Sequence, residues 1–339
     1  MTAGRAFIHP VFDYLIIGGG LSLAVGFLVL ALGVNLGVQA NFFAALVVVS
    51  NGAHFAASTV RLYTRPDATR TLPFLTIAFP LTAIAVGSAA IMVPEPAGFL
   101  LFALYQLWVP YHYSAQAYGL SAMYAYRYGC ELDQAQRRLV RWACFMPFVW
   151  GLLQPQGGVG QVLRFAGYAD FPALEPLRAA ASAALALLVF ATPPTVFVWL
   201  TRRDRLPLPL ISLLIPASNA VWWTLFTYMD AFLWATVFHG AQYLAIVLVF
   251  HVKDRLRLPG NRHRWPYHTL TFYGVCLALG YALFHVWPHA YALAGFNLEK
   301  SMLLVTAVVN LHHFVVDAYI WRLRKDPNYR NVVEEAVPA

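Results

Sequence analysis

Long apolar stretches alternate along the chain with short polar joints. Each stretch is close to the roughly 20 residues that an α-helix needs to cross a bilayer. Ten are read, at 11–34, 40–63, 72–93, 97–126, 137–155, 178–201, 207–226, 228–252, 268–288 and 299–321. The pattern predicts an all-α, polytopic transmembrane bundle of about ten spans. It gives a single transmembrane domain over 1–325 and a short cytoplasmic tail over 326–339. No soluble domain, low-complexity linker or internal repeat interrupts it. The first apolar run reads as a span, with no cleavable leader expected before it.

Basic residues orient these stretches. Arg5, the loops after the second, fourth, sixth and eighth stretches, and the tail together hold 20 of the 23 Lys and Arg residues. Only Arg164, Arg178 and Lys300 fall on the opposite side. The positive-inside rule makes the first side cytoplasmic. Both termini are then cytoplasmic and the number of spans is even.

Composition agrees. The chain is 60% hydrophobic and 11% charged, whereas a soluble domain carries roughly 25% charged residues. Too few charges remain to cover a soluble surface, so the expected solvent is a lipid bilayer and the expected location is an integral, multi-pass one, which for a bacterial chain means the inner or plasma membrane. Ten Trp suit interfacial belts. The net charge of +8 would suggest nucleic acid in a soluble protein. Here it is spread over short loops, and no nucleic-acid partner is expected. Cys130, Cys144 and Cys276 form no CxxC pair, which argues against a disulfide framework or a thiolate metal site.

The chemistry lies inside the spans. The second carries His54, the fourth His112 and Gln116, the eighth His239 and Gln242, and the tenth His312, His313 and Asp317. All four spans run in the same direction. Counted from their outer ends, the histidines fall at positions 14, 15, 11, 13 and 14. At about 1.5 Å per residue they share a plane to within about 6 Å. Ionisable groups at membrane depth face the bundle interior and mark function, and neutral imidazoles suit iron, copper or zinc. His54, His112, His239, His312 and His313 are therefore the candidate metal ligands. His312 and His313 point about 100° apart, so one ligates while the other bonds elsewhere, or the metal sits between their faces. Asp317, four residues from His313, ligates directly or orients an imidazole. Gln116 and Tyr243 are the other candidate catalytic groups. Pro110 is expected to kink the fourth span beside the cluster. His251, His263 and His268 read as interfacial groups of a basic loop, as do His9 and His289 in their own settings.

No phosphate loop, HExxH, GxSxG or dinucleotide fingerprint is present. Three readings remain. One is a non-haem metal oxygenase acting on a lipophilic molecule with dioxygen, the need for an electron donor being open. Another is a b-type haem protein exchanging electrons with quinone, although the 12-residue spacing of His239 and His251 fits haem poorly. The third is a metal or small-solute transporter.

One histidine on each of several spans, in a chain of this size, resembles the Brp/Blh family of membrane β-carotene 15,15′-dioxygenases. The resemblance implies a non-haem iron held by His54, His112, His239 and one of His312 and His313, and a carotenoid cleaved to retinal. The chain departs from the family's pattern in carrying Gln242, where an acid is expected, after His239-Gly240.

Overall fold

Apolar side chains offer the backbone no partners, so an apolar stretch withdrawn from water must satisfy its own N–H and C=O groups, which a helix does. The computed structural model describes residues 6–32, 45–65, 67–167, 173–225 and 228–321, and among them the chain is helical and contains no strand. The elements used below are α1 (Gly20–Leu32), α2 (Ala53–Tyr63), α3 (Phe79–Met92), α4 (Phe99–Arg127) and α5 (Gln134–Gly151). They continue with α6 (Glu175–Arg202), α7 (Ile211–Thr224), α8 (Tyr228–Leu256), α9 (Trp265–Tyr281) and α10 (Leu298–Ile320). Arg5 and the tail 326–339, with Arg322, Arg324, Lys325 and Arg330, lie outside the described residues, as do 40–44 of the second predicted span.

Five helical stretches among the described residues are long and apolar enough to cross a membrane: Phe74–Met92, Glu175–Arg202, Asp230–Leu256, Trp265–Leu293 and Leu298–Ile320. Pro10–Ile17 and Gly20–Leu32, bent by 53°, make a sixth if they form one span. The sequence pattern predicted about ten, and the shortfall has physical sources. α4 has 29 residues, but Gln106, His112, Ser114, Gln116 and Ser121 make it polar. α5 carries Arg137, Arg138 and Arg141 in its first half, and α7 has only 14 residues. Pro110 lies inside α4, which runs on through it as one helix. The helices also differ in surroundings. α8 and α10 are mostly buried, while α6 and α9 leave side chains such as Leu187 and Leu270 more than 70% exposed.

Contacts group the chain into two units. The first holds α1, α5, α6, α7 and residues 106–242, including the C-terminal part of α4 and the N-terminal part of α8. Its N-terminal segment is tied down by the buried Asp13, whose carboxylate accepts from Phe7 N (2.6 Å) and the Tyr124 hydroxyl (2.8 Å). Ser121 and Ser212 each donate to the other's carbonyl, joining α4 to α7. Before α1 the chain bends at Gly19 (φ +79°), where a Cβ would strike Ser218 Oγ. The bend ends the helical run, and the Ile17 carbonyl accepts instead from Gln242 Nε2 at 2.9 Å. Gln242, on the His239 side of α8, thus serves the backbone.

The second unit holds α2, α3, α9, α10, the start of α4 and the end of α8. Ala53, Ala56 and Ala57 give α2 a smooth face, against which Phe272 and Cys276 of α9 pack. The approach is closest where Gly280 meets Gly52, the residue before α2. α3 and α10 meet at Gly87, where a Cβ would lie 2.9 Å from Val308 Cγ2. Arg61, which the sequence places in a loop, is buried near the end of α2. It pairs with Asp254 (3.2 Å) and lies over the Phe250 and Trp321 rings.

A Cβ on Gly280 would sit 2.5 Å from the Gly52 carbonyl oxygen. Gly280→Ala should therefore cost about 1–3 kcal/mol through the forced shift of α9. Gly274→Ala, whose Cβ would meet nothing within 4 Å, should be neutral. Thermal unfolding in detergent separates the two.

Candidate metal centre

In the second unit, α2 and α10 bring His54 and His313 edge to face, with ring centroids 4.3 Å apart. Both are essentially removed from solvent. Each ring is oriented from its own surroundings. His54 Nδ1 faces Asn51 Oδ1 at 3.4 Å, one turn earlier. His313 Nδ1 bonds Ser58 Oγ of α2 at 2.9 Å, and its Nε2 lies 3.3 Å from Asp317 Oδ2, one turn later on α10. Asp317 accepts a short 2.6 Å bond from the Tyr243 hydroxyl on α8, and that hydroxyl in turn accepts from Trp321 Nε1 at 3.4 Å. The Tyr243 ring packs on both His54 and His313, with centroids 4.6 and 5.3 Å away.

In the first unit, His112 of α4 and His239 of α8 form a second edge-to-face pair, 5.0 Å between centroids. Tyr113 stacks on His239 at 4.0 Å, and its hydroxyl bonds Thr236 Oγ1 at 2.7 Å. Gln116, one turn after His112, donates Nε2 to the His239 carbonyl at 3.3 Å. His239 in turn precedes Tyr243 by four residues of the unbroken α8.

The four imidazoles His54, His112, His239 and His313 each offer a ligand nitrogen, and these nitrogens all lie within 4.8 Å of one another. Two nitrogens on one ion, each at about 2.1 Å, can be no more than about 4.2 Å apart. Four nitrogens set tetrahedrally about one ion lie about 3.4 Å apart, so the rings would draw together on binding. A donor set of neutral imidazoles in an apolar setting fits a transition-metal ion.

The other sequence candidates fall elsewhere. His312 faces away from this group, and its ring stacks on Phe79 at 5.1 Å and 11°. Asp317 and Tyr243 adjoin the His54–His313 pair. Gln116 touches the backbone of a histidine and not its ring. His251, read as interfacial, is instead buried, its ring centroid 4.2 Å from that of Phe272. The basic-loop reading suits His263, which is exposed and stacks on Tyr267 at 3.9 Å. Asn51, Tyr113 and Thr236 were not singled out as orienting groups, although Asn51 and Ser58 stand at helical spacing from His54. The buried Asp13 was missed too, because at the edge of an apolar run it reads as an interfacial charge.

Comparison with known families, with characterised proteins and with solved structures finds no match.

Groups that orient an imidazole typically change metal affinity by about 10–100-fold when removed. Ser58→Ala, which deletes the bond to His313 Nδ1, is expected to weaken metal retention by about that factor. Titration of the metal-stripped protein in detergent reads the change, and an unaltered affinity would show that Ser58 does not set the ring.

Proposed function

We propose that the chain is an integral membrane protein of ten spans with both termini cytoplasmic, and that it acts as a metal-dependent oxygenase on a lipophilic substrate. Each of α1 to α10 overlaps one predicted apolar stretch, and the basic loops alternate as that count requires. The observation that carries the functional reading is the convergence of His54, His112, His239 and His313, all buried, from four helices. Structural histidines bonding neighbouring helices one by one would have no reason to gather.

Iron is the favoured ion, with copper or zinc as the other ions that imidazoles hold well. When bound, iron supplies redox chemistry with dioxygen. The protein's own groups supply the rest. Asn51 and Ser58 fix the His54 and His313 rings. Asp317, beside His313, holds that imidazole or joins the ligand set, and it keeps the Tyr243 hydroxyl in a fixed place. The buried helices exclude water, so a reactive centre is shielded from side reactions. The b-type haem reading is disfavoured, because four imidazoles whose nitrogens crowd within 4.8 Å leave no gap for a flat macrocycle. A transport site needs ligands that exchange readily, which the oriented rings oppose.

The substrate class follows from the resemblance to the carotenoid dioxygenases. An isoprenoid or carotenoid partitions into the bilayer and reaches a buried site without crossing water. Cleavage of β-carotene would place one atom of dioxygen on each of two retinal molecules, with no electron donor required.

Protein purified in detergent should carry close to one iron per chain by elemental analysis and show no Soret band. His112→Ala and His313→Ala should both lose the metal, while His312→Ala retains it. Full occupancy in the first two variants would remove the tetra-imidazole site. Separately, iron-loaded protein given β-carotene and dioxygen should form retinal. Metal bound without any carotenoid product would keep the centre and sink the carotenoid assignment.

A further inference from the structure

The end of α6 carries a feature that the metal centre does not use. Arg202, Arg203 and Arg205 are exposed there, and Gln136 at the start of α5 donates to Asp204 at 2.9 Å. This bond brings the start of α5, with Arg137, Arg138 and Arg141, to the same edge. These two segments thus hold six arginines and three carboxylates, those of Glu131, Asp133 and Asp204. Asp133 caps α5 by accepting from Gln136 N. The guanidinium of Arg203 lies 4.3 Å over the Trp199 ring, and that of Arg141 lies 5.2 Å from Phe145.

On α6, within the three turns before the arginines, Pro194, Thr195, Val198 and Trp199 form a shallow, laterally open, largely apolar patch. Consecutive Pro193 and Pro194 take two N–H donors out of the helix; Pro193 is buried and Pro194 stands on the outer face. Trp199 belongs to both features, since its ring meets Arg203 and the residue is also part of the apolar patch. Trp142, 60% exposed on α5, supplies a second ring of the kind that sits at the level of lipid headgroups. Cationic groups beside an exposed apolar helix face, joined by an indole, match an amphiphile with an anionic head and a hydrocarbon tail.

We propose that the arginine-rich edge of α5 and α6 binds an anionic phospholipid of the surrounding bilayer, its phosphate at Arg202 and Arg203 and an acyl chain along Pro194–Trp199. A small anion would meet the arginines but leave the apolar patch bare. A soluble acidic peptide would leave the exposed apolar rim beneath it wet. The inference rests on the membrane reading and is independent of the metal.

The full chain reconstituted in vesicles, with spin-labelled phosphatidylglycerol or phosphatidylcholine as probe, tests it. The anionic label should be immobilised preferentially. Loss of one of these contacts, in Arg203→Gln, should lower that preference about fivefold, with phosphatidylcholine unaffected. Arg164→Gln, on a different part of the first unit, should leave the preference intact and controls for net charge. Equal immobilisation of the two labels by the unaltered chain overturns the proposal. So does an unchanged preference in Arg203→Gln, or displacement of the label by millimolar inorganic phosphate, which identifies a small-anion site. Failure of the chain to float with vesicles of either composition overturns the membrane reading, and this site with it.

Discussion

A polar group withdrawn from water must be matched inside the protein or its burial costs several kcal/mol. That constraint governs the interior of this chain. His313 meets it at Nδ1 with Ser58, and its Nε2 lies 3.3 Å from Asp317 Oδ2. Asp317 meets it with Tyr243, and Tyr243 accepts from Trp321. The series joins α2, α8 and α10, so each helix is held in rotation as well as in place. An apolar contact would allow the helices to slip by small amounts, whereas a 2.6 Å bond between Tyr243 and Asp317 does not. A metal centre needs ligands fixed to within about half an ångström, and this network provides that stiffness on one side of the histidine group.

Small residues provide the rest. Gly280 against Gly52, and the alanines of α2 against α9, let helices approach closely at the turn that leads to His54. Such close packing multiplies the van der Waals contacts between the helices. Large apolar residues stand both in the interior, as Trp223, Phe55 and Phe250 do, and on the outside, as Leu187 and Leu270 do. Where the backbone departs from regular helix, at Gly18 and Gly19, a side chain takes over: Gln242 donates to the Ile17 carbonyl. One turn of α8 thus carries a candidate ligand, a backbone-supporting amide and a hydroxyl bound to Asp317.

The sequence alone determined the helical class and singled out His54, His112, His239 and His313 as groups able to meet. Those follow from local quantities: apolar run length and a fixed rise per residue. Depth is additive along a helix, so His54, His112, His239 and His313 could be levelled by counting. Tertiary structure decided what lies at each azimuth. His312 and His313 are neighbours in sequence with the same depth, yet one stacks on Phe79 and the other meets His54 and Ser58. About 100° of rotation separates them, and only the placement of α2 and α3 assigns each its partner. The same holds for Gln116 and Gln242, which share faces with His112 and His239 but bond to backbone carbonyls of other helices, and for His251, which α9 covers with Phe272. A sequence fixes how far along an axis a group stands. What it points toward depends on packing between helices distant in the chain, and no local pattern encodes that.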